Sequence, residues 1–229
     1  MTKIVSMKII AHIHSDFTEK FGIPRQSGLV DSLRARILFE PEYRNADALR
    51  GLEGFSHIWL LWQFSQAQRE DWSPTVRPPR LGGNARMGVF ATRSPFRPNA
   101  IGLSCVRLIC VDLDAPDGPA LTVAGADLLD GSPIFDIKPY LPYADAHPDA
   151  SGGFAPVETP RLTVDFPQAL LGHLPADRRG AVIEVLAQDP RPGYQHEPGR
   201  VYGMAFAGWN IKFTVADGTL TVTDVLPLD

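Results

Sequence analysis

The sequence predicts a mainly β protein, an antiparallel barrel or sandwich, with a small α/β unit at its C-terminal end. Three observations carry this. Short segments rich in Val, Ile, Leu and Phe recur through the first two-thirds of the chain, most of them four to eight residues long and bounded by Gly, Pro, Asp or Asn. The 20 glycines and 21 prolines suit a turn-rich chain better than a helix bundle. Helical spacing of apolar residues becomes clear only late, near residues 177–188.

The first strand is expected at Lys8–His14, and the N-terminal apolar stretch is too short, and lacks the small-residue cleavage site, for a secretion signal. Arg34–Phe39 and Ser56–Phe64 follow, separated by a helical turn or two at Asn45–Arg50 that Gly51 stops. Met87–Thr92, Ile101–Asp112, Ala120–Ala126 and Ile134–Lys138 complete the β-rich part. Ala144–Pro160 is Pro-, Gly-, Ala- and Asp-rich with little to pack, and reads as a connection. Beyond it, helices are expected at Phe166–His173 and Asp177–Gln188. In the second, Val182, Val185 and Leu186 share one face, and Asp177 stands where a cap would. Arg200–Ala207, Asn210–Val215 and Thr219–Val225 read as strands, the last two joined by an Asp217–Gly218 hairpin turn. The expected organisation is a β unit over 1–145, a linker over 146–160 and a small α/β unit over 161–229.

Composition narrows the function classes. With 44% hydrophobic and 21% charged residues the chain is an ordinary globular one. No apolar run approaches the ~20 residues of a membrane span. A net charge of −4 argues against a protein that coats nucleic acid indiscriminately. The charges are segregated, however. Six arginines (77, 80, 86, 93, 97, 107) occur from Arg77 to Arg107 with no acid or lysine, and eight aspartates with one lysine occur from Asp112 to Asp149. Such a chain either presents an electropositive patch or pairs the two blocks by folding back. Cys105 and Cys110 are outside CxxC spacing and read as buried reduced thiols of a cytoplasmic protein. His12 and His14 share one side of a strand, but no third ligand is near, so no metal site is expected. A nucleophile elbow of the GxSxG kind is absent.

Three stretches could carry chemistry. Thr75–Ser104 combines glycines that admit close backbone approach, arginines with planar donors, the amides of Asn84 and Asn99, and prolines that stiffen the connections. It lacks GxGxxG after a strand and lacks GK[ST], so it reads as an anion or polar-ligand site of another kind. Ala126–Tyr143 gathers Asp127, Asp130, Asp136, Lys138, Tyr140 and Tyr143, groups that accept from hydroxyls or amines, or stack on bases; turn and ion-pair roles are the alternative. Ala187–Tyr194 ends a helix with Pro190 and Pro192 and leaves Arg191 and Tyr194 on a rigid exposed loop.

The strings PRQSGLV (24–30), RGLEGFSHIWLLWQF (50–64), the arginine-rich run from Arg77 to Ser104, DLLDGSPIFDIKPYLPY (127–143) and EVLAQDPRPGY (184–194) resemble the TsaA-like, or TrmO, family. The resemblance implies a β-barrel that binds S-adenosylmethionine without a Rossmann fold, works as a homodimer, and methylates N6-threonylcarbamoyladenosine at position 37 of threonine tRNA. By the same resemblance the cofactor site draws on Arg25, Gln26, Ser27, Gln66, Arg93, Leu103, Ala124, Gly125, Ala126 and Asp127. Family members often carry His-Gln where this chain has Ser65-Gln66. For the chemistry, the accepting nitrogen is poorly nucleophilic while protonated, and Asp130, Asp136 and Tyr140 are the candidate base or anion-stabilising groups. Lys138, Arg86, Arg97, Arg191 and Tyr194 are the candidates for substrate carboxylate, phosphate and base contacts. Competing readings are a methyltransferase of the same fold with another substrate and a non-catalytic cofactor- or RNA-binding barrel.

Overall fold

The computed structural model describes residues 5–67, 71–78, 81, 84–155, 160–192, 197 and 199–228. Six strands form a closed antiparallel barrel: β1 (Ala11–His14), β2 (Arg34–Phe39), β3 (His57–Gln63), β6 (Ile101–Asp112), β7 (Ala120–Ala124) and β8 (Ser132–Pro139), in the order β1-β2-β7-β6-β3-β8. Closure leaves the barrel no open edge. Alternation builds it: Ile58, Leu60 and Trp62 of β3 and Ala35, Ile37 and Phe39 of β2 point inward, where they join Ile13, Val106, Leu121, Val123 and Ile134 in one core. Two short strands, β4 (Thr75–Val76) and β5 (Met87–Gly88), pair with each other outside the barrel. The helical turn α1 (Pro142–Asp145) follows β8 and is fixed by the Asp145 carboxylate, which accepts from Trp59 Nε1 at 3.0 Å and from the Leu141 amide at 2.8 Å. The start of the Ala144–Pro160 stretch is thus part of the barrel's own packing.

The C-terminal part is a four-stranded sheet ordered β10-β11-β12-β9, with β9 (Thr163–Asp165) parallel to β12 (Thr219–Pro227), and β10 (Tyr202–Phe206) and β11 (Trp209–Ala216) completing a meander. The helices α2 (Gln168–Leu171) and α3 (Arg179–Ala187) lie between β9 and β10 in the chain, and Val182, Val185 and Leu186 of α3 are buried in the core. The β11–β12 turn has Asp217 and Gly218 at φ 47° and 74°, as a type I′ hairpin requires.

A second core joins the two parts. The β1–β2 connection sends Phe17, Val30 and Leu33 into the C-terminal core, and Phe17 meets Phe206 edge-on at 5.4 Å. Arg178 pairs with Asp16 at 2.8 Å, and the Ala207 amide donates to the Asp16 carbonyl. Burial raises the Asp16 carboxyl above its ordinary range, and the Arg178 guanidinium works against that. Gly22, at φ 95°, abuts Met204 so closely that a Cβ would lie 2.4 Å from the sulfur. The connection is thereby held between both halves.

Several expectations are corrected. Met87–Thr92 is a strand for only two residues and then a 3-10 turn over 89–91. Val89 alone packs there, while Phe90 is exposed. Lys8–His14 is a strand only over Ala11–His14, with Ile10 adding backbone hydrogen bonds to Ile134 and Glu40 just before it. Phe166–His173 shrinks to the four residues of α2. Asp177 caps nothing: its carboxylate takes an Arg178 Nη1 donor at 2.6 Å, and α3 starts with no side-chain cap. Asn45–Arg50 is a 3-10 turn over Ala46–Leu49 whose cap is the Asn45 side chain. Cys110 is exposed and Cys105 half-buried. The parallel strand β9 has no counterpart in the sequence reading.

Candidate functional site

The mouth of the barrel at the Gln63 end of β3 holds a cavity of about 910 Å³. Its floor is the inward face of β3 and β6. Trp62 and Gly102 are register partners, and a Cβ on Gly102 would come within 2.2 Å of the indole ring, so glycine is what lets that ring lie across β6. Trp62 Nε1 donates to Ser104 Oγ at 2.9 Å, and Ser104 donates in turn to Asp127 Oδ1 at 2.6 Å. Burial pushes the Asp127 carboxyl up, against donors from Ser104 and the Ser27 amide and the nearby Arg93 charge. Phe64, Leu103 and Leu129 add apolar wall.

The Pro24–Gly28 segment closes one side because the residue that follows β7, Gly125, staples it. The Gly28 amide donates to the Gly125 carbonyl at 2.8 Å, and a Cβ on Gly125, at φ 73°, would press to 3.2 Å from Gly28 Cα. Gln26 then accepts a hydrogen bond from Arg93, and Arg25 Nη2 donates to the Arg191 carbonyl at 3.2 Å. The opposite wall is the 89–99 loop, which braces itself. Thr92 Oγ1 accepts from the Ser94 amide at 3.2 Å, Ser94 Oγ from the Phe96 amide at 3.2 Å, and Arg97 Nη1 donates to the Thr92 carbonyl at 3.0 Å. Lys20 Nζ donates to the Gln66 carbonyl at 2.7 Å and ties the β1–β2 connection to the rim.

The cavity opens into a groove of about 2710 Å³ between the barrel and the C-terminal part. The two share Lys20, Arg25, Gln26, Phe90, Arg93 and Arg97 among their lining. Groove cations are Lys20, Arg25, Arg77, Arg86, Arg93, Arg97, Arg161 and Arg191, facing only Asp71 and Asp189 among the described residues. Asp189 is already held by Arg191 at 2.8 and 2.9 Å. No ion pair among the described residues joins the 77–107 arginines to the 112–149 aspartates. Arg107 pairs with Asp31 instead, at 2.6 Å. The electropositive patch, not the fold-back pairing, is therefore the outcome of the segregated charge.

Of the sequence candidates, Arg25, Gln26, Gln66, Arg93, Leu103 and Asp127 line the cavity together. Ser27, Ala124, Gly125 and Ala126 stand behind it; Ser27 reaches Asp127 through its amide, and both alanines are buried. Arg86, Arg97 and Arg191 line the groove. Arg191 is not the exposed cation expected, because its side chain is only 10% exposed and is committed to Asp189. Tyr194 lies outside the described residues. The catalytic candidates do not line the cavity. Asp130 accepts from the Ser15 amide at 3.0 Å and pairs with His14 at 3.3 Å. Asp136 pairs with Lys138 at 2.9 Å on the outward barrel face, opposite Leu61 and Trp59. Tyr140, tilted against Trp59 at 5.9 Å, is roughly 25 Å along β8 from Ser132 at ~3.3 Å per residue. Trp62, Ser104, Ser132, Phe90 and Phe96 were missed. A serine on the inward, apolar side of β6 was the signal available for Ser104. Among the described residues no cluster of three or more His, Cys, Asp or Glu could hold a metal, and no helix is long and apolar enough to cross a membrane.

Comparison with known proteins decides the family. Residues 12–146 match the family model of the tRNA-methyltransferase O N-terminal domain, and residues 159–228 that of the TrmO C-terminal domain. The chain belongs to the TrmO family. The tRNA (adenine(37)-N6)-methyltransferase of Escherichia coli K12 is 44% identical over 95% of this chain and 96% of its own length. A Pseudomonas aeruginosa PAO1 protein named putative S-adenosylmethionine-dependent methyltransferase RcsF is 46% identical over 87% of each chain. The crystal structure of TrmO from P. aeruginosa superposes with a TM-score of 0.78 at 36% identity, over 100% of this chain and 99% of that one. This member of the TrmO family is an enzyme, with the family's barrel, and not a sensor built on it.

Proposed function

We propose that the chain transfers a methyl group from S-adenosylmethionine to N6 of N6-threonylcarbamoyladenosine at position 37 of threonine tRNA. The observation that carries the reading is continuity: a mainly apolar cavity with one half-buried carboxylate runs directly into a groove where, among the described residues, eight cations meet two acids. The donor set suits the cofactor. An aromatic and aliphatic wall (Trp62, Phe64, Leu103, Leu129) fits a nucleoside face, Arg93 and Arg25 fit a carboxylate, and Asp127 fits an amine. When bound, the cofactor supplies an already activated methyl group on a sulfonium. The chain's own residues must then orient and enclose, and orientation alone can lower a barrier by roughly 7–11 kcal/mol.

In the groove, Arg77, Arg86 and Arg161 would meet phosphates, and Trp72 and Phe90, with ring centroids 6.1 Å apart, would stack on loop bases. An anticodon loop already exposes its bases, so presenting the target adenosine costs little. The C-terminal part supplies one wall through Arg161 and Gln188–Pro192, which divides the labour between a cofactor-binding barrel over 1–145 and an RNA-guiding unit over 161–229. The enzyme would act as a cytoplasmic homodimer. Leu103 lines the cavity yet is 55% exposed on the outward face that also carries Leu61, Asp136 and Lys138. Pairing through that face would bring Asp136, Lys138 and Tyr140 of a second copy toward the rim, where they could meet the threonyl carboxylate and the departing proton.

Labelled methyl transfer to threonine tRNA with and without the threonylcarbamoyl group tests the reading. Incorporation only into the threonylcarbamoylated tRNA is expected. Incorporation into the unmodified tRNA alone overturns the substrate, and cofactor binding without transfer to any RNA overturns the reaction.

A further inference from the structure

Ser104 is 1% exposed on an inward barrel face between Gly102 and Val106, where an unpaired hydroxyl would be costly. Its partners force its orientation. The Trp62 indole N–H can only donate, so it takes a lone pair of Oγ. While ionised, the Asp127 carboxylate only accepts, so in that state the hydroxyl proton points at Asp127 Oδ1. Trp62 is itself locked by Gly102, whose missing Cβ leaves room for the indole. The cavity they face holds Lys20, Arg25, Arg93 and Arg97, and Asp127 is the one carboxylate in its lining among the described residues. A cofactor that carries both a carboxylate and cationic groups needs a counter-charge for the latter, and among the described lining residues only Asp127 offers one.

We propose that Ser104, oriented by Trp62, is a positioning residue that keeps the Asp127 carboxylate ionised and aimed into the cavity, where it meets an amino or cationic group of S-adenosylmethionine. The inference rests on the reading of this cavity as the cofactor site. Burial alone would drive Asp127 toward its neutral form; the Ser104 hydroxyl and the Ser27 amide, with the Arg93 charge across the cavity, oppose it. Lys20, Arg25 and Arg97 also line this cavity, and no histidine or second acid does so among the described residues. A carboxylate that must be charged for binding gives an affinity that falls as pH falls through its pKa. Because that pKa is raised, the acid limb lies above the usual carboxylate range.

The test is calorimetric titration of the protein alone with S-adenosylmethionine across a range of pH. Wild type should bind, with an acid limb that Asp127→Asn abolishes. Ser104→Ala should weaken binding near neutral pH by about tenfold, of the order of one lost charge-assisted hydrogen bond, and move the limb to higher pH. Ser104→Thr, which keeps the hydroxyl, should restore the limb, and Trp62→Phe should move it in the same direction by less. A Ser104→Ala protein with a lower melting temperature but an unmoved limb would make the serine a packing residue and overturn the proposal. So would a limb that persists in Asp127→Asn, a measurement independent of whether the other variants fold. Absence of binding by wild type would instead overturn the cofactor site itself.

Discussion

Two contacts at the site show how much one atom decides. The Gly102 position faces an indole ring at 2.2 Å from where a Cβ would sit. Gly102→Ala should therefore cost about 1–3 kcal/mol by overpacking and lose cofactor binding, read by chemical denaturation and calorimetry; retained affinity would mean the ring can move. Asp189 and Arg191 make the other contact. Burial raises the Asp189 carboxyl, but the hydrogen bonds and charge of Arg191 outweigh it and hold the group below its ordinary range. A depressed carboxylate stabilises the fold above its unfolded value of about 3.9, and that stability is lost as pH falls through the lower native one. Asp189→Asn keeps a residue that tolerates the positive φ of 53° and removes the charge together with one of the two oxygens that accept from Arg191. It should cost about 1–3 kcal/mol at neutral pH, and the gap to wild type should close in acid. A gap unchanged at low pH would contradict the charge account. Neither contact was legible in advance, since both are set by what lies across space from a residue and not by its neighbours in the chain.

At the scale of elements, the arginine-rich loops stand out in the sequence by composition, but their geometry does not. Met87–Thr92 alternates like a strand, but only Val89 finds a core to enter, so the chain turns and leaves Phe90 facing the cavity and groove. The two arginines flanking that turn should separate by function. Arg93 reaches Gln26 across the cavity, so Arg93→Ala should weaken cofactor binding about tenfold with little change in stability. Arg86 is exposed in the groove beyond it. Arg86→Ala should leave cofactor affinity unchanged, lower tRNA affinity, and reduce the slope of log affinity against log salt by about 1. If the two variants exchange these effects, the assignment of cavity and groove is wrong.

For the whole molecule, the C-terminal part is not an appendage, because the barrel lends it Phe17, Val30 and Leu33 and receives the groove wall in return. Phe17→Ala should cost about 3–5 kcal/mol and loosen the PRQS segment that the same connection carries, lowering cofactor affinity as well as stability. Loss of stability with unchanged affinity would show that the segment is held by Gly125 alone. On the outward face, Leu103→Glu should shift a dimer to monomers in analytical ultracentrifugation and abolish methyl transfer. A variant that stays dimeric would move the proposed interface elsewhere.

The sequence by itself determined the strand alternation of the barrel, the Asp217–Gly218 turn, the apolar face of α3 and the family, because these are local patterns with a fixed period or long unusual strings. It also located six of the cavity-lining residues through the resemblance. The tertiary structure alone decided the rest. It sent Tyr140 and Asp136 to the outer face, turned Arg191 inward onto Asp189, and joined Trp62, Ser104 and Asp127 across 23 to 65 residues of chain. Closing a barrel assigns each side chain to the inside or the outside and to one mouth or the other. That assignment depends on the register between strands far apart in sequence, which no local pattern encodes.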